Sequence, residues 1–184
     1  MCFSSGRLHI EKSPQDYKTH SPVVDAINDV LVALTKERDL GRSFRAPNWF
    51  TDEGSSLSTE PDGFLVRWGS IESGRVRINP ERTSEMLGRP DMVLEAVSKS
   101  SRKKDTVELV ADYAAAGIEE YWIADALGAD PELQILSLGA SNRYTRIGCD
   151  GEGWIESPLW QAAFRLVRIP GRVGWIDYRL ERRS

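Results

Sequence analysis

Arg89-Pro90-Asp91-Met92-Val93-Leu94-Glu95-Ala96-Val97-Ser98 reads as a buried β-strand, a run of apolar and β-branched residues opened by proline and closed by a Ser/Lys-rich turn. Such a strand should be apolar throughout, yet Glu95 sits in its middle. An unpaired buried carboxylate costs several kcal/mol or neutralises itself, so Glu95 needs a partner. That partner is an arginine, a set of backbone amides or a divalent metal, and the strand alone leaves all three open.

Downstream, the pattern predicts a helix from about Arg102 to Ala116, capped by Ser100 or Ser101 and ended by Gly117. Val107, Val110, Ala114 and Leu109 are its expected sheet-facing positions. Glu119–Asp125 reads as another strand, which makes a βαβ unit with parallel, right-handed connection. Leu133–Leu138 and Tyr144–Ile147 then read as a hairpin around Gly-Ala-Ser-Asn. Residues 173–180 fit an edge strand or a short helix, and 154–167 has no clear assignment.

Upstream, Ser21-Pro22 reads as an N-cap and first helical residue. Val23, Ile27, Val30, Leu31 and Leu34 recur at helical spacing, and the helix is expected to end near 36–38, before Gly41. Residues 51–61 read as a polar loop, and 69–90 as a loop with a short extended piece around Val76 and Ile78. Between them, 62–68 reads as a strand with Asp62, Phe64, Val66 and Trp68 on one face. Length and pattern together predict one α/β domain over residues 1–184, without internal repeats.

The net charge of -4 is not that of an obvious nucleic-acid binder, but the charge is unevenly placed. Lys99, Arg102, Lys103 and Lys104 form a basic cluster; Arg165, Arg168, Arg172, Arg179, Arg182 and Arg183 make the end basic; 119–132 is acidic. Taken singly, each run reads as a solvated face. Cys2 and Cys149 form no Cys-x-x-Cys pair, which argues against a zinc site or disulfide framework and makes a reducing cytoplasm the expected setting. No apolar run reaches membrane-spanning length, and Met1–Arg7 lacks the pattern of a secretory signal.

Three acids are candidates for chemistry: Asp62, Asp91 and Glu95. Asp91 and Glu95 share a strand face but lie roughly 13 Å apart, too far to share one ion. Asp62 is on another strand; if the two strands pair, at a spacing of about 4.8 Å, Asp62 and Glu95 converge on one Mg²⁺ whose bound water could attack a phosphodiester. Without such pairing, Asp62 and Asp91 read as turn residues after Pro61 and Pro90. His9 and His20 show no metal-ligand spacing with each other, and there is no Gly-rich phosphate loop or Gly-x-Ser-x-Gly elbow. The six tryptophans read mostly as core, with Trp49-Phe50 and Trp160 as alternative interface anchors.

From about Gly6 onward the chain resembles the bacterial restriction-endonuclease-like domain family of the PD-(D/E)XK nuclease superfamily. The matching residues are Pro61-Asp62, the 89–98 strand, Asp105, and Tyr113-Ala114-Ala115-Ala116-Gly117-Ile118-Glu119-Glu120-Tyr121-Trp122-Ile123-Ala124-Asp125. His20 and Ser157-Pro158-Leu159 also fit. The resemblance implies a mixed β-sheet flanked by helices and a Mg²⁺- or Mn²⁺-dependent endonuclease acting on DNA, commonly as a homodimer. It implies Asp62 and Glu95 as metal ligands, with the Ala96 carbonyl as the third.

The chain departs from the family where the family carries its lysine. Val97 stands two residues after Glu95, and Leu109 stands four before Tyr113, the two positions a lysine would take. Lys99, Lys103 and Lys104 are nearby substitutes, with Lys99 preferred although its side chain must curl back. Arg7 follows Gly6 where the family often has glutamate, and the family's extra initial helix is missing or shortened. Absence of the lysine need not prevent metal binding, but it would lower the rate. The alternative is a catalytically weakened or inactive nuclease-fold module used for binding or oligomerisation, which Val97, Leu109 and the net charge favour.

Overall fold

The computed structural model describes residues 2–4, 6–9 and 16–184. The first strands are β1 (Cys2–Ser4), β2 (Arg7–His9), β3 (Gly41–Arg45), β4 (Trp49–Asp52), β5 (Leu57–Thr59) and β6 (Gly63–Arg67). They are followed by β7 (Arg77–Ile78), β8 (Glu85–Leu87), β9 (Met92–Ala96), β10 (Glu120–Asp125) and β11 (Glu132–Leu138). The chain ends with β12 (Tyr144–Arg146), β13 (Ile155–Ser157), β14 (Ala162–Pro170) and β15 (Ile176–Arg183). The α-helices are α1 (Ser21–Glu37), α2 (Trp68–Glu72) and α3 (Leu109–Ala116).

The central sheet has the order β12-β11-β10-β9-β6-β3. β9 and β10 run parallel, as a strand–helix–strand unit requires, and β9 pairs antiparallel with β6 on its other side. The sheet is therefore mixed, as expected. Alternation along β9 sends Met92, Leu94 and Ala96 to one face, where α1 supplies Val23, Ile27, Leu31 and Leu34. Phe164 and Leu166 join that layer from a three-stranded sheet, β13-β14-β15. Trp122 and Trp160 pack edge-on against Phe164 there, so Trp160 belongs to the core.

Val93 and Val97 face the other way, with Phe64, Val66, Tyr121 and Ile123, beneath α3 and a second sheet of order β2-β1-β5-β4-β8-β7. Glu95 shares the parity of Val93 and Val97, so it points into this second layer. An apolar strand with a charge at one inward position is thus sandwiched between two cores.

Several local expectations change. Ser21 is the first helical residue rather than the cap; His20 holds the capping position, and a turn based on the Asp16 carbonyl delivers the chain into α1. The 51–61 stretch is not all loop, because β4 and β5 form a hairpin across a short helical turn, Glu53–Ser55. The 69–90 stretch contains α2, β7 and β8. Residues 173–180 fall largely on the edge strand β15. The helix after β9 is broken by a five-residue π-turn, Lys104–Glu108, in which the Leu109 N–H bonds to the Lys104 carbonyl. The wider turn rotates the helix, so Val107 is 59% exposed while Leu109 and Tyr113 are buried. Among the described residues no helix is long and apolar enough to cross a membrane.

Candidate functional site

The register of β6 against β9 pairs Gly63 with Leu94, Phe64 with Val93 and Leu65 with Met92. Continued by one residue, it sets Asp62 opposite Glu95 at the mouth of the sheet, and both belong to the layer of Phe64 and Val93. Both acids are buried. The two strands pair, which sets the two acids at facing positions.

Asp62 is held from three directions. Its Oδ2 accepts the Ala96 N–H at 2.7 Å and lies 3.3 Å from Nε2 of His20. Its backbone carbonyl accepts the Asn28 side-chain amide at 3.1 Å. Gly63 makes that last contact possible, since a Cβ there would meet the Asn28 Oδ1 at 2.5 Å. Asp62 is therefore a fixed carboxylate, not a solvated turn residue.

Glu95 accepts one hydrogen bond, from the Tyr113 hydroxyl to Oε1 at 2.7 Å. Burial pushes its carboxyl well above the ordinary range; Lys104 opposes that shift, while Asp105 and Asp62 add to it. Burial likewise pushes the Tyr113 hydroxyl up, and the Glu95 carboxylate beside it pushes further. Among the described residues, Asp62 Oδ1 and Glu95 Oε2 accept no hydrogen bond. The N–H and C=O of one strand residue project to the same side, so the Ala96 carbonyl lies on the Asp62 edge of β9, next to the N–H that Asp62 binds. Asp62, Glu95 and the Ala96 carbonyl thus come from facing positions of β6 and β9. Among the described residues no group of three or more His, Cys, Asp and Glu side chains could hold a metal ion, so an ion here would take the two carboxylates, the carbonyl and water.

Asp91, four residues before Glu95, is treated in the opposite way. It is fully buried and receives the Arg67 N–H at 2.7 Å, Arg67 Nε at 3.0 Å, Ser70 Oγ at 2.8 Å and Arg75 at 2.5 Å. Arg67 also bonds Glu119. Asp91 is neither a turn residue nor part of the acid pair; it is the neutralised centre of an ion network at the other end of β9. Glu120 is a further buried acid, on the α1 side. Ser157 Oγ, the Leu159 N–H and Trp122 Nε1 all donate to it, and burial pushes its carboxyl up against those bonds. The Glu-Tyr-Trp-Ile-x-Asp block and Ser157-Pro158-Leu159 therefore meet in one structural joint.

The basic residues separate on inspection. Val97 and Leu109 are both buried among apolar neighbours. Lys99 is exposed, and its charge acts on Asp16. Arg102 pairs with Asp125 at 2.8 Å and Lys103 with Glu108 at 3.2 Å. Lys104 lies inward, its side chain 20% exposed and its Nζ 3.2 Å from Asp105 Oδ1. The inward turn of Lys104 could not be read from periodicity, because it depends on the π-turn. The C-terminal arginines are largely internal pairs: Arg165 with Glu181, Arg182 with Glu37 and Arg183 with Asp150. The side chains of Arg7 and His9 lie outside the described residues.

The family model "Uma2: Putative restriction endonuclease" matches residues 3–167. The chain belongs to the Uma2 family. No curated protein matches it. Among solved structures, "a putative nuclease belonging to DUF820 from Anabaena variabilis" aligns with a TM-score of 0.63 at 15% identity, over 87% of this chain and 82% of that one. That likeness establishes a nuclease-like fold. The Uma2 assignment makes a nuclease-like function the frame for the acid pair, and families of this kind generally use divalent metals. The Uma2 match stops at 167, so β15 and the tip of its hairpin with β14 lie beyond it.

Proposed function

We propose that this protein is a Mg²⁺- or Mn²⁺-dependent endonuclease that hydrolyses DNA phosphodiester bonds, with Asp62, Glu95 and the Ala96 carbonyl holding the ion. The observation that carries the reading is the pairing of Asp62 with Glu95 across β6 and β9, with the Ala96 N–H already bonded to Asp62.

The donor set fits a hard cation. Glu95 is buried beside two further carboxylates, and its hydrogen bonding comes from one neutral hydroxyl. Lys104 offsets only part of that burial, and oxygen ligands with room for water suit Mg²⁺ or Mn²⁺. A bound dication would supply an activated water and offset charge on the phosphate. The protein's own groups do the positioning. His20 and the Ala96 amide fix Asp62, Tyr113 fixes one oxygen of Glu95, and the apolar layer of Val97, Leu109 and Ile123 limits water behind the pair.

A second reading has its own observation. Both positions where the family places its lysine are apolar and buried, which favours a weakened module that retains the fold for binding or assembly. Nicking of supercoiled plasmid by the purified protein separates the two, run with Mg²⁺ or Mn²⁺, with EDTA, and with Glu95→Ala. Metal-dependent nicking that vanishes in Glu95→Ala is expected. A folded protein that nicks in neither metal would refute the enzyme reading. A homodimer would let one site address each strand, and light scattering on the same preparation reads that directly.

A further inference from the structure

The hairpin of β14 and β15 reaches past the end of the central sheet that carries the acid pair. Glu120, at the start of β10, bonds Ser157, and Phe164 packs on Trp122 with ring centroids 4.9 Å apart. Further along β14, Arg168 Nη2 donates to the Gly128 carbonyl at 2.8 Å, beyond the last residue of β10. β14 therefore follows β10 toward the end where Ala124 stands beside Ala96 on β9, one residue past Glu95. α1 gives the same direction: it starts next to His20, which lies beside Asp62, and ends at Glu37, which Arg182 of β15 holds at 2.7 Å. The tip, residues 171–175, thus extends roughly 10 Å beyond Arg168, on the edge of the sheet where Asp62 and Glu95 lie.

The tip reads Gly-Arg-Val-Gly-Trp, and its apolar side chains face solvent: Val173 is 96% exposed and Trp175 57%. Val173 also has φ 55° and ψ 37°, a left-handed conformation that a β-branched residue rarely adopts and glycine takes freely. The bend is fixed by Gly171, whose N–H donates to the Trp175 carbonyl at 3.0 Å and where a Cβ would meet that oxygen at 2.7 Å. A strained, exposed valine beside an exposed tryptophan gains nothing from the folded chain itself, and strain of this kind clusters at functional sites.

The charge around the tip selects its partner. Residues 162–184 carry six arginines and two acids, in a chain whose net charge is -4. Arg165, Arg182 and Arg183 are neutralised by Glu181, Glu37 and Asp150. Arg179 reaches only the Glu181 that Arg165 already holds, at 3.7 Å. Among the described residues Arg168 meets the Ala126 and Gly128 carbonyls and Tyr178 but no acid, and exposed Arg172 has no ion pair. Asp177, beside Gly171, is the acid next to the tip. An arm of this composition attracts a polyanion.

We infer that the β14–β15 tip is a DNA-binding arm of the acid-pair site: Arg172 takes a backbone phosphate, and Trp175 with Val173 takes the face of an unstacked base. The inference rests on the DNA-nuclease reading of Asp62 and Glu95. Arginines alone would hold the phosphate backbone whatever the state of the strands. An aromatic ring and a branched apolar side chain need a base face, which duplex DNA offers only where stacking is interrupted. The substrate class that fits is therefore DNA with a gap, a nick or a single-stranded stretch near the cleaved bond.

The test compares the full chain with Trp175→Ala, Val173→Gly, Arg172→Gln and Glu95→Ala, each first shown to be folded by urea unfolding. Val173→Gly is the safest of them, because glycine suits the left-handed backbone. Fluorescein-labelled single-stranded, gapped and intact duplex oligonucleotides are titrated in Ca²⁺ and read by anisotropy; plasmid nicking in Mn²⁺ and light scattering are run beside them. Wild type should bind the gapped and single-stranded probes more tightly than the duplex. Trp175→Ala should weaken binding of those two probes by about 5- to 100-fold, as loss of a stacking platform does, with Val173→Gly weakening it less. Arg172→Gln should weaken all three and lower the salt slope by about one. Nicking that depends on Glu95, with DNA binding unchanged in Trp175→Ala and Val173→Gly, would overturn the arm and leave the nuclease reading intact. Tip-dependent binding without nicking in wild type would support the arm and refute the nuclease reading. A dimer that is lost in Trp175→Ala while DNA binding stays unchanged would make the tip a contact between copies and overturn the arm.

Discussion

Replacing Asp91 by alanine tests whether the two acids of β9 have separate jobs. Asp91 is fully buried and joined to Arg67, Ser70 and Arg75, so its removal leaves two guanidinium groups without their shared counter-charge. Breaking a buried ion pair from one side costs about 3–5 kcal/mol. Arg67 and Arg75 keep 37% and 27% side-chain exposure and rehydrate in part, which favours the lower end, about 3 kcal/mol. For a chain of this length that corresponds to a fall in Tm of about 6–12 °C. Urea unfolding followed by tryptophan fluorescence, with the slope unchanged, gives the same quantity independently. Mn²⁺ affinity of the folded variant should match wild type, because Asp91 lies at the opposite end of the strand from the acid pair. A loss below about 1 kcal/mol would refute the network argument. Normal stability with abolished Mn²⁺ binding would place Asp91 in the metal site and refute the division of labour.

Two further outcomes follow from the other buried acids. The folded carboxyl of Glu120 lies above its ordinary value of 4.5, so between that value and the folded one the native state holds a proton that the unfolded chain has released, and stability falls as pH rises through that window. Glu120→Gln lacks this loss; urea unfolding at pH 4.5 and near neutrality should show the variant gaining on wild type as pH rises, and a pH-independent gap would refute the argument. At the acid pair, Mn²⁺ at about one hundred times its Kd should stabilise wild type by about 2.7 kcal/mol, a Tm rise of about 5–11 °C. In Glu95→Gln that rise should fall below about 2 °C; an undiminished rise in thermal melts would show that the ion binds elsewhere.

The features that were legible in the sequence are those set by local periodicity. The 89–98 strand, the parallel partner at Glu120–Asp125 and the hairpin from Glu132 follow from runs of two-residue alternation and clear turn residues. Asp62 and Glu95 could be nominated because a charge in such a run demands an explanation, but their convergence depended on β6 pairing with β9, which only the tertiary register decides. Elements of two or three residues are too short for any periodicity: β5 reads as loop, and β7 only as a short extended piece around Val76 and Ile78. The π-turn was illegible for a different reason. Its sequence, Lys-Asp-Thr-Val-Glu, suits an ordinary helix, and the extra residue per turn is imposed by the anchoring of Asp105 on Tyr121 and Ser101. Thus Val107, expected on the inner face, is exposed.

Asp91 and Glu95 make the strongest internal control that one strand can offer. Both are buried acids on the same run of backbone, four residues apart, in a protein that has arginines to spare. At Asp91 the fold supplies two arginines, a hydroxyl and an amide. At Glu95 it supplies a tyrosine hydroxyl and the charge of Lys104, and sets Asp105 and Asp62 near it, which raise the electrostatic cost. Structural need alone would fill the second site as it fills the first, since a half-satisfied buried charge is less stable than an apolar residue of similar size. Glu95 stands opposite Asp62 across β9 and β6, with the Ala96 amide bonded to Asp62. A cluster of carboxylate and carbonyl oxygens is the kind of ligand set that a hard dication takes. This contrast within β9 favours the metal reading of Glu95 on grounds independent of the Uma2 match.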